Sequence, residues 1–266
     1  MAGLKGAAVY VTGASSGIGE ATALAFARRK ARLALCARRL DRLKAVADRC
    51  REAGAADVVF RKADVSRAAE ARAFVATGLQ QYDRIDVLVN NAGSGWRGRL
   101  TEMPDDEIES LIGTNLMGVI WTSKAALPHM VGEGSGVVIN VASVVGFRAM
   151  PYSAVYSASK HGLVGLSHAL RGELSGTGVK VSVVYPGTTD TEFFRGKDPG
   201  GLMLHSADWV ASSIVRAARW PRRDVIVFPY RLAHLVEPVA GGLLDHVLGE
   251  ARRRQNPRLR EKPSSG

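Results

Sequence analysis

The chain has 266 residues, 46% of them hydrophobic and 23% charged, and this near-average composition excludes disorder, collagen and coiled coil as whole-chain architectures. A chain this long buries roughly three-quarters of the surface its unfolded form exposes, so it needs no disulfide or structural metal, and Cys36 and Cys50 make no disulfide framework. The net charge of +11 is spread along the chain as arginine without a recognisable nucleic-acid module, so no nucleic-acid partner is expected and a small anionic cofactor or substrate explains part of it.

Met1 to Lys5 leads straight into a glycine-rich motif, which predicts no signal peptide. No run reaches the roughly 18 apolar residues of a membrane span. A reduced, cytoplasmic protein is expected. Ala7 to Val11 reads as a short buried strand, followed by a glycine turn and a helix over about 17–29. Arg32 to Ala37 is a second strand. Leu40, Leu43, Ala47 and Cys50 share one helical face, so Cys50 is expected in the core and Cys36 in the strand. A third strand opens at Val58 and ends near Asp64, and Ser66 can cap the next helix. Ile85 to Val89 is a fourth strand, and a helical region over about 104–130 is interrupted by glycine. Val137 to Val141, a helix over about 155–174, Val179 to Val184, a helix from Ala207 to Arg219 and a strand from Val225 to Phe228 complete the series. Apolar strands alternating with helices predict an α/β, doubly wound, Rossmann-like fold: a seven-stranded parallel sheet covered on both faces. Residues 1–230 are expected to form one domain, 231–249 an apolar segment of that domain, and 250–266 a basic, flexible tail.

The motif Thr12-Gly-Ala-Ser-Ser-Gly-Ile-Gly19 joins the first strand to the first helix. Gly13 permits a tight turn, Gly17 and Gly19 permit close approach, and the helix N-terminus offers N–H groups to a pyrophosphate. Ser15 and Ser16 can add hydroxyls. Taken alone, the motif also fits an ordinary strand–helix turn. The second strand ends Ala37-Arg38-Arg39, without the carboxylate that would bond the ribose hydroxyls of NAD. Two arginines there suit a 2′-phosphate, hence NADP (NADPH), although one of them, Arg39, also reads as the exposed start of the next helix.

Tyr156 and Lys160 stand four apart on one helical face. A tyrosine normally titrates near 10, and a neighbouring ammonium favours its phenolate, so the pair suits proton transfer. Ser143, Asn90 to Gly93 and Pro186 to Thr191 end three strands, and Asn115 lies in a helix between them. All are expected at one sheet edge.

With these pieces in order and at its spacing, the sequence resembles the compact single-domain branch of the short-chain dehydrogenase/reductase family over roughly residues 5–230. The resemblance implies hydride transfer between nicotinamide C4 and a carbonyl or alcohol carbon. It implies that Tyr156 is the general acid/base, that Lys160 holds the nicotinamide ribose and lowers the tyrosine pKa, that Ser143 bonds the substrate oxygen, and that Asn115 holds a water of a proton relay. For the cofactor it implies contacts from Thr12, Gly13, Ser15, Ser16, Gly17, Ile18 and Gly19, and from Arg38 and Arg39 at the 2′-phosphate. Asp64 and Val65 would meet the adenine, Asn91, Ala92 and Gly93 the adjacent ribose, and Pro186, Gly187, Thr189 and Thr191 the nicotinamide end. Many NADP-preferring relatives carry a basic residue inside the glycine motif, where this chain has Ser16. A homodimer or homotetramer is implied as well.

No histidine or cysteine cluster suggests a metal site, and His161 is expected on the surface or at an interface. Tyr152, Ser94, Trp96, Val145, Phe147, Phe193 and Phe194 are expected around a mostly apolar substrate pocket. The stretch 232–248 is apolar and is followed by Arg252 to Arg254, which admits an anionic membrane surface. Pro238 and Gly241-Gly242 interrupt any single helix there, and a pocket cap or subunit contact is favoured. The leading function is an NADP-dependent carbonyl reductase or alcohol dehydrogenase acting on a small molecule. The alternatives are a catalytically silent nucleotide-binding regulator on the same fold and, more distantly, an epimerase or dehydratase.

Overall fold

The computed structural model describes residues 3–187, 189, 205–226 and 248–251. Branched apolar runs form its strands because such side chains pack well on a pleated surface. They are β1 (Ala8–Thr12), β2 (Arg32–Ala37), β3 (Asp57–Lys62), β4 (Val87–Asn90), β5 (Gly136–Val141), β6 (Val179–Tyr185) and β7 (Asp224–Ile226). The sheet order is β3-β2-β1-β4-β5-β6-β7, and every pair is parallel, as the alternating pattern predicts. The helices are α1 (Gly17–Ala27), α2 (Leu40–Glu52), α3 (Ala68–Tyr82), α4 (Asp105–Ile112), α5 (Gly118–Gly132), α6 (Ala154–Glu173) and α7 (Ala207–Arg219).

Successive strand residues point to opposite faces, and the core divides accordingly. Val9, Val11, Leu33, Leu35, Val87, Val89 and Ile139 face one layer together with α1, α2 and α7. Ala8, Tyr10, Ala34, Cys36, Leu88 and Val138 face the other with α3, α5 and α6. Register keeps these sets together: Val9 lies opposite Leu33 and Val87. β1, β4 and β5 are buried throughout, which is why their sequences are apolar without alternation. Cys36 and Cys50 are both buried free thiols whose titration burial pushes up, so neither is a ready nucleophile.

The chain reverses its winding between β1 and β4, and the crevice beyond their carboxyl ends is where such sheets bind ligands. A buried polar network crosses this middle. Asn90 Nδ2 donates to Asn140 Oδ1 at 2.9 Å and to Ser123 Oγ at 3.2 Å, Thr122 Oγ1 donates to Asn90 Oδ1 at 2.6 Å, and Asn140 Nδ2 donates to Ser167 Oγ at 2.8 Å. Two strands and two helices are thereby fixed to each other behind the crevice.

Some expectations need correction. Ser66 does not cap α3: Arg67 holds the N-cap position, and the Ser66 N–H and hydroxyl both donate to Asp64 Oδ1, at 3.0 and 2.7 Å. The short Asx-type turn competes for the serine. The helical region over 104–130 is interrupted at glycine, as expected, but by a π turn and not by a break. Gly113 and Gly118 bracket a π turn, Gly113–Met117, that joins α4 to α5. The expectations for Thr191, Phe193, Phe194, Phe228 and residues 231–247 and 252–266 fall outside the described residues. Among the described residues, no helix is long and apolar enough to cross a membrane, and no group of three or more metal-ligating side chains occurs.

Candidate active site

Two clusters meet at the carboxyl edge of the sheet. The first is the glycine turn after β1. Gly13 and Gly17 adopt φ of +68° and +57°, where only glycine is unstrained. A Cβ on Gly19 would stand 2.2 Å from Gly13 O and 2.5 Å from Asn91 Nδ2. The turn therefore lies directly on the end of β4. Asn91 Nδ2 donates to Thr12 O at 3.0 Å and Gly13 O at 3.3 Å, while the Asn91 and Ala92 N–H groups both donate to the Thr12 hydroxyl at 3.0 Å. The Asn91 side chain thus braces the glycine turn from behind.

Ser16 is the N-cap of α1, yet its hydroxyl makes no cap bond; it accepts from Arg39 Nη2 at 2.6 Å, and Ser15 Oγ accepts at 3.4 Å. The first N–H groups of α1 are thus left to an anion. Arg39 is the exposed N-cap of α2, as its reading as a helix start expected, and its guanidinium also lies across the glycine motif. Arg38 is exposed beside it. A glycine cradle and a helix N-terminus are a donor set that fits a dinucleotide.

The second cluster gathers around α6. Tyr156 and Lys160 are 7% and 3% exposed. Lys160 Nζ donates to Val141 O at the end of β5 at 3.0 Å and lies 5.9 Å from the Tyr156 ring centroid. Ser143 follows β5 and its hydroxyl, which lowers the Tyr156 pKa, accepts the Val145 N–H at 3.4 Å. Asn115 is fully buried on the π turn. Its Oδ1 accepts the Ser94 N–H at 2.8 Å, and its Nδ2 donates to Ser94 O at 2.9 Å and Ser159 Oγ at 3.1 Å. Ser159 in turn donates to the Tyr156 carbonyl at 2.7 Å. The four expected polar side chains therefore converge, and Asn115 ties the loop after β4 to the helix that carries the tyrosine.

Burial pushes the Tyr156 phenol up to about 12, against the opposing effects of the Ser143 hydrogen bond and the Arg97 charge. Burial also pushes the Lys160 ammonium down to about 8. The sequence argument gave the lysine charge the deciding influence on the tyrosine. In the structure desolvation is the largest influence on the phenol, and the Arg97 charge opposes it.

The remaining positions are distributed as follows. Asp64 is half-buried, its Oδ1 engaged by Ser66, and Val65 is buried against Gly118. Pro186 O accepts the Val144 N–H at 3.0 Å, holding the ends of β5 and β6 together. Thr189 is buried, its hydroxyl donating to Gly187 O at 3.2 Å, and it forms a parallel bridge with His205. Trp96 and Val145 pack in one apolar cluster with Tyr156. Phe147 instead packs on Tyr185, with ring centroids 5.2 Å apart, beside Leu163 and Val183. His161 is exposed on α6, as expected. Sequence reading missed Ser159, although its i+3 spacing from Tyr156 was available, and it missed Arg97, for which no pattern signals a role.

Known proteins share both the sequence and the architecture. The profile of the family described as short chain dehydrogenase matches residues 7–200. An 11-beta-hydroxysteroid dehydrogenase-like protein 4A of Arabidopsis thaliana is 36% identical over 207 residues, spanning 77% of this chain and 67% of its own. An alcohol dehydrogenase from the archaeon Thermococcus sibiricus, solved with 5-hydroxy-NADP, superposes with a TM-score of 0.76 at 32% identity, over 83% of this chain and 95% of its own. A short chain dehydrogenase/reductase from Burkholderia phymatum, solved with NAD, gives 0.82 at 27% identity over 92% and 97%.

Proposed function

Because the chain belongs to the short-chain dehydrogenase/reductase family of oxidoreductases, we propose that it is an NADP-dependent carbonyl reductase or alcohol dehydrogenase in which Tyr156 moves the proton. The observation that carries this reading is the convergence of Asn115, Ser143, Tyr156 and Lys160 at the end of β5. The solved relatives hold 5-hydroxy-NADP in one case and NAD in another, so kinship leaves the choice between the two open. Support for NADP comes from Ala37 in place of a carboxylate and from Arg39 lying on Ser15 and Ser16.

A nicotinamide bound beside Lys160 supplies or accepts the hydride. The residues of this chain do the rest. The Tyr156 hydroxyl, kept protonated by burial, donates its proton to the oxygen of the carbonyl as it gains negative charge. Ser143, beside Tyr156 at the end of β5, orients that oxygen and shares its charge. Lys160 on α6 reaches the end of β5, where its ammonium can hold a ribose hydroxyl and return a proton toward Tyr156. Asn115 Nδ2 is taken by Ser94 O and Ser159 Oγ, but its Oδ1 accepts only the Ser94 N–H and keeps a second lone pair, with which Asn115 holds the relay water on this reading. Trp96, Val145 and Met150 support an apolar substrate. The glycine turn, Asp64, Val65, Asn91, Ala92, Gly93, Pro186, Gly187, Thr189 and Thr191 serve the cofactor on this reading. Residues 1–230 are then the catalytic domain, residues 231–249 a cap or contact, and the enzyme a cytoplasmic homodimer or homotetramer.

NADPH oxidation measured against a panel of carbonyl compounds tests the reading. Turnover with at least one class is expected. NADPH binding without turnover on any of them would instead favour a silent nucleotide-binding regulator.

A further inference from the structure

Away from the crevice, the last turn of α7 and the segment that leads into β7 concentrate positive charge. Residues 216–223 hold Arg216, Arg219, Arg222 and Arg223, all exposed, and no acid. Among the described residues, none of these four arginines pairs with a carboxylate. Asp224, the next residue, is already engaged by Arg171 Nη2 at 3.1 Å and by the Tyr185 hydroxyl at 3.0 Å. Trp220 stands among the arginines and is 57% exposed. Its N–H donates to Arg216 O at 2.8 Å, and the Arg219 guanidinium carbon lies 4.2 Å from its ring centroid. The indole is thus held outward by its neighbours and not folded onto the core.

Helix stability accounts for only part of this arrangement. α7 has Asp208 in its first turn and Arg216 and Arg219 in its last, the order that the helix dipole favours. Arg222 and Arg223 lie beyond the last turn, where that effect has faded. An indole left in water contributes nothing to the core. α1 packs beside α7 in the same layer and, like it, runs away from the carboxyl edge of the sheet. It is followed by Arg28 and Lys30, which are exposed and, among the described residues, also without an acidic partner.

We propose that this corner is a peripheral docking surface for a bilayer that carries anionic lipid. Such a bilayer presents a dense layer of negative headgroups, and a cluster of four or more basic side chains is what it attracts. Guanidinium groups match the lipid phosphates. An exposed indole beside them settles at the headgroup level, with its apolar rings toward the acyl chains. A single-stranded nucleic acid calls instead for a row of aromatic platforms, and Trp220 is the one aromatic residue of the segment. The contact is peripheral, since no helix among the described residues is long and apolar enough to cross a membrane. Because the corner lies away from the crevice, docking leaves the crevice open, and the inference stands independently of the reductase reading.

The test sediments the full chain with phosphatidylcholine vesicles, with and without phosphatidylserine, at low and high salt. Binding is expected to the anionic vesicles alone and should weaken as salt rises. R222Q/R223Q should lower the partition coefficient by roughly ten- to thirty-fold, and R222K/R223K, which keeps both charges, should retain most of it. Anionic vesicles with bromine on the acyl chains should quench the tryptophan fluorescence of the wild type and of W209F, whose replaced ring lies at the other end of α7, but not that of W220F. All the replaced side chains are exposed, so each variant should keep the circular dichroism of the folded chain. Should R222Q/R223Q fail to fold, R216Q/R222Q carries the same comparison. Undiminished vesicle binding by the glutamine variant would move the attraction to another basic segment, such as Arg252 to Arg254, and overturn the proposal. Quenching that persists in W220F would overturn it too, as would equal binding to vesicles without phosphatidylserine. Retention of a mixed-sequence DNA duplex by a wild type that ignores the vesicles would replace the bilayer with nucleic acid.

Discussion

The two clusters share one sheet edge but are built in opposite ways. The glycine turn is specified by backbone: positive φ at Gly13 and Gly17 and a contact at Gly19 that admits no Cβ. Its charged group, Arg39, is exposed. The tyrosine end is specified by side chains with the opposite exposure. Tyr156, Lys160 and Asn115 are buried, and two of them titrate far from their ordinary values because water is excluded. Substitutions at the first end should therefore act through fit and salt-dependent attraction. At the second they should act through protonation and desolvation.

The largest separation of the two ends is expected from Tyr156→Phe. The ring is retained, and the hydroxyl with its transferable proton is lost. General acid–base catalysis contributes typically 10²–10⁴-fold, so turnover should fall by about that factor while NADPH still binds, as followed by its fluorescence. Near-native turnover would remove Tyr156 from the proposed role and leave the cofactor end untouched.

Lys160 should reveal the desolvation of the tyrosine end in stability itself. Its folded-state pKa of about 8 lies below the ordinary 10.5. Below about pH 8 the ammonium is charged in both states, and burying it weakens the fold. Between about pH 8 and 10.5 the unfolded chain holds a proton that the folded chain does not, so stability rises with pH. Relative to Lys160→Met, the wild type should gain on the order of 3 kcal/mol across that window, measured by urea unfolding in parallel. A constant difference between the two would mean that the ammonium is solvated.

At the cofactor end, a hydrogen bond to a charged group contributes about 1.5–3 kcal/mol, so the wild type should prefer NADPH to NADH by roughly ten- to a hundred-fold. The preference should shrink as salt rises, because Arg39 is exposed. Arg39→Leu should cost more of it than Arg38→Leu, since Arg39 is the guanidinium lying on Ser15 and Ser16. Ala37→Asp combined with Arg39→Leu should reverse it. Equal use of both cofactors by the unaltered chain at low salt would sink the NADP assignment.

The same contrast decides what the sequence discloses. Strand order, the glycine turn and the Tyr156–Lys160 spacing are periodic or local, and residues such as Gly13 and Val9 declare them directly. What stayed hidden depends on contacts between elements distant in the chain. Ser66 has the chemistry of a cap, but Asp64 two residues earlier captures it. Phe147 is aromatic and near the site in sequence, yet it turns to Tyr185. The π turn at Gly113–Met117 leaves no trace in apolar spacing, because it inserts a residue into a continuing helix instead of ending it. The net balance of burial against charge at Tyr156 is a three-dimensional sum that no spacing encodes.

Ser159 offers the smallest and most discriminating break between the two ends. Its hydroxyl accepts from Asn115 Nδ2 at 3.1 Å and donates to the Tyr156 carbonyl at 2.7 Å, so it couples the π turn to the residue that carries the phenol. Ser159→Ala leaves a buried amide donor with one partner fewer, at a cost of about 1 kcal/mol. It removes no charge and touches no part of the glycine turn. If Ser159 positions Tyr156, kcat should fall roughly three- to ten-fold, the range that about 1 kcal/mol allows, with KM for NADPH unchanged, and Ser159→Thr, which restores a hydroxyl, should recover most of the loss. Were Ser159 a packing residue only, the alanine variant would lose thermal stability while kcat stayed at the wild-type value. A joint change in kcat and the KM for NADPH would show instead that the two ends are mechanically one unit, joined through Asn115 and Ser94 to the β4 end on which the glycine turn rests.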